Sequence, residues 1–146
     1  MLVDLEQLIE AFGDAIIVSD GNGSISFWNP AAEHLFGFTS SEALGESLDL
    51  IIPERLRERH WSGYARTMST GETRYAHNVL QVPAVHKDGR PLSIAFTGRL
   101  LYGPQRKVVA IVAVIRDDTA RFTEERDLRK RLAEVEKISG AQHSVT

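Results

Sequence analysis

The sequence contains no cysteine. This absence excludes disulfide bonds, thiolate nucleophiles, and zinc or iron–sulfur centres held by cysteine. Long apolar runs are also lacking, because the longest one, at residues 108–115, is far shorter than the roughly 20 residues that cross a bilayer. The N-terminus does not show the pattern of a secretory signal peptide. We therefore expect a cytoplasmic protein that makes no contact with a membrane.

Neither sign of charge dominates the chain, which has 17 Lys and Arg against 20 Asp and Glu, interspersed, for a formal net charge of -3. A nucleic-acid-binding surface needs a clustered basic patch, so none is expected. The signatures of a nucleophile elbow, a phosphate-binding glycine loop and a zinc-protease helix are missing as well, so we do not expect an enzyme. A length of 146 residues with 42% hydrophobic residues predicts one soluble domain with a core and an appended helix.

The first third of the chain predicts helices around a short hairpin. Apolar residues at helical spacing indicate a flanking helix within residues 1–13. Two apolar runs, at 15–20 and 24–28, lie on either side of Gly-Asn-Gly at 21–23, which is typical of a β-hairpin. Asn29 follows and is placed to cap the first of several short helices.

The rest of the chain predicts three strands and a last helix. Asp88-Gly89 is a strong hairpin signal, and Pro83 suits an edge strand. The continuous apolar run at 108–115 predicts a strand buried on both faces. One face of the strand before it groups Leu92, Ile94, Phe96, Gly98 and Leu100.

These patterns together predict an α+β fold: one five-stranded antiparallel sheet with short helices on one face, flanked by an N-terminal and a C-terminal helix. The expected boundaries are a flanking helix at 1–13, a core at 14–118, a charged C-terminal helix at 119–139 and a tail at 140–146.

One histidine stands out in the segment that opens at Pro53 and that Gly71 can close. On a helical wheel its inward stripe is formed by Leu56, His60, Tyr64 and Met68. A buried imidazole without a partner costs about 1–3 kcal/mol. His60 is therefore either a core histidine bonded to a neighbour such as Tyr64, or a metal ligand, because neutral imidazole is the commonest one.

Three segments carry a family resemblance: AIIVSDGNGSISFWNPAAEHLFGFTSSEALG at 15–45, VHKDGRPLSIAFTGRLL at 85–101 and VAIVAVIRDDTAR at 109–121. Together they resemble a PAS domain of the S-box type, which implies the five-stranded PAS fold and a sensory role. PAS domains hold haem, flavin, small metabolites or nothing, so the fold does not select a ligand. Flavin and thioester chromophores that attach to cysteine are excluded here.

The helix around His60 is similar to the one that carries the proximal histidine in the haem-binding PAS domains of rhizobial oxygen-sensor kinases, and His60 matches that histidine. The resemblance implies haem b with His60 as the proximal iron ligand. His77 is either a surface residue or a sixth ligand. The residues expected around the cofactor are Leu56, Tyr64, Met68, His77, Leu80, Ile94, Phe96 and Gly98, where Gly98 either leaves space or marks a bulge.

The chain departs from those oxygen sensors on the strand after this helix. Leu80 stands at the spacing of the arginine that hydrogen-bonds oxygen, and Asn78 stands where a methionine ligand is expected. Leucine cannot donate a hydrogen bond. This difference favours CO, NO or redox state over oxygen as the signal, and a metabolite-binding or cofactor-free interaction module is the alternative function.

The flanking helices suggest how a signal leaves the domain. In PAS proteins such helices commonly pair between two chains, and Leu128, Leu132 and Val135 form a suitable stripe. The alternative is a solvated helix packed on its own core. A homodimer is thus expected, with a kinase or similar effector outside this chain.

Overall fold

The computed structural model describes residues 2–73 and 78–144. In that part of the chain its helices are α1 (Leu5–Glu10), α2 (Pro30–Phe36), α3 (Ser40–Ala43), α4 (Arg57–Thr70) and α5 (Thr119–Ser144). Its strands are β1 (Ala15–Asp20), β2 (Ile25–Trp28), β3 (Leu80–Val85), β4 (Pro91–Tyr102) and β5 (Val108–Asp117).

The five strands form one antiparallel sheet in the order β2-β1-β5-β4-β3, which confirms the predicted fold. The β4–β5 register places Phe96 opposite Ile115 and Gly98 opposite Ala113. Strand β1 continues the same face, since Ala15 lies opposite Ile115. The predicted inward face of β4 is therefore the face that meets the core.

The core lies between this inner face and the short helices. Phe36 of α2 is fully buried, and its ring packs against Trp28 at 5.6 Å between centroids. Burying each large side chain of this kind contributes about 1.5–3 kcal/mol. The other buried apolar members include Ile17, Ile25, Ala32, Ala43, Ile51, Ala84, Leu92, Ile94 and Ile115.

Asn29 joins three elements at the edge of the core. Its side-chain oxygen accepts from the N–H groups of Ile16 at 2.8 Å and Ala32 at 3.0 Å, so it caps α2 as predicted. Its amide donates to the carbonyls of Asp14 at 3.0 Å and Ile9 at 3.4 Å. Only 1% of Asn29 is exposed, so these bonds satisfy side-chain polar atoms of Asn29 that water does not reach.

Both edges of the sheet carry a specific feature. The backbone of residues 45–48 pairs with the start of β2, where Gly45 N–H donates to Ile25 C=O at 2.8 Å and Ile25 N–H donates to Glu46 C=O at 2.8 Å. At the other edge lies β3, which contains Pro83. The prediction that Pro83 marks an edge strand is confirmed.

The junction between β5 and α5 is fastened to β4. Asp118 N–H donates to Ser93 C=O at 2.7 Å, and Ser93 N–H donates to the Thr119 hydroxyl at 3.0 Å. Helix α5 then runs to Ser144, beyond the expected end at residue 139. The flanking helix at the other end is shorter than the 13 residues expected, because α1 covers Leu5–Glu10.

Candidate functional site

Helix α4 is preceded by a turn of 3-10 helix at Glu54–Leu56 that follows Pro53. Proline at this place fixes the backbone torsion φ before the helix begins. The helix ends where Gly71 takes a left-handed conformation with φ of 72°, as the sequence predicts.

One side of α4 is half-buried and the other is exposed. His60, Tyr64 and Met68 lie on the half-buried side, with Leu56 at the N-cap also half-buried. Arg59 and Ser62 are exposed on the other side. The burial pattern has the period of the predicted wheel, and His60 faces the protein.

The imidazole of His60 lies beside two aromatic rings. Trp61 meets it edge to face with 4.6 Å between centroids, and the Tyr64 ring lies at 5.7 Å. Its Nδ1 atom is buried and has no hydrogen-bond partner among the described residues. Burial lowers the pKa of His60 below its ordinary value, which the nearby Asp49 carboxylate opposes. The ring is therefore neutral near pH 7.

Trp61 attaches α4 to two segments that are distant in the sequence. Its indole N–H donates to Asp49 Oδ1 at 2.7 Å. Its six-membered ring lies on the β1–β2 turn at Gly23, where a Cβ would be only 2.1 Å from Cη2 and Cζ3. Since real Cβ atoms essentially never approach so closely, only glycine fits beneath this ring.

Tyr64 attaches α4 to β1 one turn further along. Its hydroxyl donates to Asp20 C=O at 2.5 Å and lies 2.9 Å from Ser19 Oγ. Burial raises the pKa of the Tyr64 hydroxyl, so it remains protonated and able to donate. Met68 continues the contact at Gly21, where a Cβ would be 3.4 Å from the Met68 methyl carbon. The inward side of α4 thus packs along the β1–β2 hairpin.

Some of the residues expected around the cofactor lie together on strands β3 and β4. Leu80 lies opposite Phe96 in the β3–β4 register, and both side chains are half-buried. Ile94 is buried in the core cluster, with Phe96 packed against it, and Gly98 is buried on the same face of β4. His77, the expected sixth ligand, lies outside the described residues.

Comparison with known proteins identifies the fold family. The family model described as PAS fold matches residues 4–117, which is most of the chain. The chain belongs to the PAS family.

Individual relatives agree with this family. The chain is 38% identical to the sensor protein FixL of Bradyrhizobium diazoefficiens over 68 residues, which are 47% of this chain and 14% of FixL. It is 24% identical to the oxygen sensor protein DosP of Escherichia coli over 124 residues, 85% of this chain and 15% of DosP. The crystal structure of the PAS domain of a Colwellia psychrerythraea protein aligns with a TM-score of 0.70 at 23% identity, over 80% of this chain and 95% of that one.

These matches give the PAS domain a role in sensing and signal transduction. The chain spans a fifth or less of the length of the curated relatives that it matches. No helix of residues 2–73 and 78–144 is both long and apolar enough to cross a membrane.

The donor chemistry of this PAS domain can be compared with what haem would need. Within the described ranges, no group of three or more histidine and acidic side chains could hold a metal ion. Haem could be held by a single protein ligand, and a neutral imidazole would serve. His60 fits that role, because it is neutral, faces inward and has a buried nitrogen atom that lacks a partner in the described part of the chain.

Two other histidines have different surroundings. His34 is exposed on α2. His86 lies against Gly37, and its Nδ1 accepts the N–H of Asp88 at 3.1 Å. His86 therefore fastens the β3–β4 turn to the end of α2.

Sequence reasoning missed Asp49, Gly23 and Ser19 as neighbours of the α4 stripe. Asp49 precedes Trp61 by 12 positions, with Pro53 between them, so no helical period connects the two. Gly23 was assigned to the hairpin turn for its conformational freedom, and its φ of 78° agrees. Its second role, making room for Trp61, depends on tertiary packing.

Proposed function

We propose that this PAS domain is a cytoplasmic sensor that holds haem b through His60 and responds to CO, NO, oxygen or redox state. The observation that carries the proposal is the half-buried, neutral imidazole of His60, whose buried Nδ1 has no partner among the described residues. The names of the relatives, a sensor protein and an oxygen sensor protein, support a sensory role of this kind. The domain acts as a receptor and not as an enzyme.

Three of the expected residues, His60, Leu80 and Phe96, have a definite task in this proposal. A nitrogen of His60 ligates iron, while Leu80 and Phe96 contribute apolar surface that excludes water. Haem, when bound, supplies an iron centre that takes up a diatomic gas or changes its oxidation state. Because the Leu80 side chain cannot donate a hydrogen bond, it would offer oxygen no polar stabilisation. CO and NO depend less on such a donor and are the preferred signals.

The signal leaves the domain through the sheet. Strand β5 is hydrogen-bonded to β1 and β4, and it continues into α5 at the Asp118–Thr119 junction that is bonded to Ser93. A shift of the sheet therefore moves the start of α5 directly. The output is an effector such as a kinase, outside this chain.

A homodimer through the flanking helices is part of the proposal. Leu128, Leu132 and Val135 of α5 are 54%, 59% and 61% exposed, and Leu5 of α1 is exposed as well. Apolar side chains spaced along one side of a helix are stabilised when a second helix covers them. A second copy of the chain offers the same stripe.

The haem proposal is tested by titrating the purified protein with haemin and recording the visible spectrum. We expect a Soret band that saturates at one haem per chain and is lost or shifted in His60→Ala. His34→Ala is the matched control, because His34 lies exposed on another helix and should leave the band unchanged. A wild-type protein without a Soret band, or a band that is identical in His60→Ala, contradicts the proposal.

A second candidate function is a PAS module that binds a small metabolite or no ligand. The observation in its favour is the close packing of α4, because Trp61 on Gly23 and Met68 on Gly21 hold the helix against the hairpin. In this case haemin does not bind stoichiometrically, and His60 is a core residue. Native mass spectrometry of the protein purified from cells distinguishes a retained metabolite from an empty domain.

A further inference from the structure

The direction of His60 depends on how α4 is rotated about its own axis. Successive residues of an α-helix are about 100° apart, so Tyr64 lies about 40° and Trp61 about 100° from His60 around the axis. The hairpin contacts of Trp61 and Tyr64 are therefore on one side of His60. A rotation of α4 by one residue would carry the imidazole out of its present surroundings.

The Trp61 contact restrains this rotation next to His60. The ring of Trp61 rests on the Gly23 backbone, and its N–H is bonded to Asp49 at 2.7 Å. The turn that carries Asp49 is itself tied to the first residue of α4, since Arg57 donates to Asp49 C=O at 3.2 Å and to Ile52 C=O at 3.1 Å. Asp49 is thus fixed relative to the helix that it holds.

The Tyr64 contact restrains the rotation one turn later. Its hydroxyl is bonded to Asp20 C=O and lies beside Ser19 Oγ on β1, and Ser19 is buried. Strand β1 is the neighbour of the central strand β5, so this anchor is part of the sheet. The two contacts are on different segments, so each one restrains the rotation independently of the other.

We propose that Asp49 and Ser19 are positioning residues for His60: through Trp61 and Tyr64 they fix the rotation of α4 and keep the imidazole facing inward. This inference rests on the proposed function, in which His60 is the protein ligand to haem. We name two contacts the two braces: that of Trp61 with Asp49, and that of Tyr64 with Ser19 Oγ and Asp20 C=O. Breaking one brace loosens the helix, and breaking both allows His60 to reach solvent.

The test measures how accessible His60 is in the protein without haem. Diethyl pyrocarbonate modifies exposed neutral imidazoles, and peptide mass spectrometry compares the rate at His60 with that at the exposed His34 in the same sample. The variants are Trp61→Phe, which removes the indole N–H and the outer ring atoms that lie on Gly23, Tyr64→Phe, which removes the hydroxyl, and the double variant. Ser62→Ala, on the exposed side of α4, is the control.

We expect His60 to react at least about fivefold faster in each single variant, since about fivefold is the effect of losing one hydrogen bond of ordinary strength. The double variant should exceed the product of the two single effects, because the braces support each other. Ser62→Ala should react like the wild type. A folded double variant whose His60 reacts at the wild-type rate overturns the proposal.

Two further measurements keep the result interpretable. If the double variant does not fold, Asp49→Ala can replace it, because this substitution removes the acceptor of the Trp61 N–H and leaves the sequence of α4 unchanged. Asp49→Ala must then still accelerate the modification of His60. Haemin titration of the same variants then separates the two proposals. If the variants modify His60 faster but the protein never binds haem, the braces are supported and the haem site is rejected. If the protein binds haem but His60 reactivity is unchanged in the variants, the haem site is supported and the braces are rejected.

Discussion

The ring of Trp61 lies directly on the backbone of Gly23, so that a Cβ at Gly23 would be 2.1 Å from two ring carbons. This contact joins the helix that bears His60 to the β1–β2 hairpin, across 38 positions of sequence. It also gives Gly23 two independent reasons to be glycine, its positive φ and the absence of space.

Replacing Gly23 by alanine separates these two reasons. Gly45 has a similar φ of 84°, but nothing lies within 4 Å of its would-be Cβ, so Gly45→Ala measures backbone strain alone. We expect Gly45→Ala to cost about 1 kcal/mol and Gly23→Ala about 2 kcal/mol more, in free energy of unfolding. Urea unfolding followed by circular dichroism measures both. Equal costs for the two variants would show that Trp61 moves aside freely.

Asn29→Ala should be among the most destabilising polar substitutions. It removes two acceptor and two donor bonds from a side chain that is almost fully buried, and it leaves backbone groups of Ile16 and Asp14 without that partner. We expect a loss of about 3 kcal/mol in the free energy of unfolding. Asn22→Ala, in the exposed β1–β2 turn, is the control and should lie within about 0.5 kcal/mol of the wild type.

The free energy of unfolding should fall in acid because of His60. Its pKa in the folded protein is below the unfolded value of about 6.5, so the unfolded chain binds the proton more readily. The His60 contribution is complete above pH 6.5 and is lost as the pH falls through the lower folded value. His60→Gln should therefore show a flatter pH profile than the wild type between about pH 7.5 and 5. Parallel pH profiles for His60→Gln and the wild type would contradict a lowered pKa of His60 in the folded protein.

Leu132→Glu should prevent association through α5. The substitution places a carboxylate in the centre of the exposed apolar stripe, where a second helix would have to desolvate it. Arg126→Glu is the control, because it lies on the opposite side of the same helix, about 160° from Leu128. Light scattering at tens of micromolar should give a dimer mass for wild type and Arg126→Glu and a monomer mass for Leu132→Glu. A wild-type monomer rejects the dimer proposal.

The β4–β5 turn contains two successive residues with left-handed backbone, Gln105 with φ of 61° and Arg106 with φ of 58°. Side chains other than glycine pay steric strain there. Gln105→Gly should raise the free energy of unfolding by about 0.5–1 kcal/mol, and Gln105→Ala, which retains a Cβ, should give no such gain. Thermal unfolding of both variants tests this expectation.

Much of the fold could be predicted because its signals are local. The Gly-Asn-Gly turn, the Asp88-Gly89 turn and the Asn29 cap each act within a few residues, and each occurs in the structure where expected. The inward direction of His60 follows from the helical period. What holds His60 in place does not, since Asp49, Ser19 and Gly23 reach the helix through tertiary packing that no period encodes.

Two expectations differ from the structure. The apolar run of β5 predicts burial on both faces, but Val112 and Val114 are only half-buried, and Ile115 is the one buried residue of the strand. The end of α5 was expected at residue 139, ahead of Gly140. Glycine costs about 1 kcal/mol within a helix, and the helix nevertheless continues to Ser144.

The pairing of residues 45–48 with β2 and the position of Pro83 in β3 have a consequence for how this protein meets others. Residues 45–48 hydrogen-bond to the backbone of β2 at one edge of the sheet, and Pro83 removes an N–H group from β3 at the other edge. Partners are thus discouraged from docking by strand addition, the route that also leads to fibrous aggregation. Recognition is directed instead to side-chain surfaces, where it can be specific to one partner.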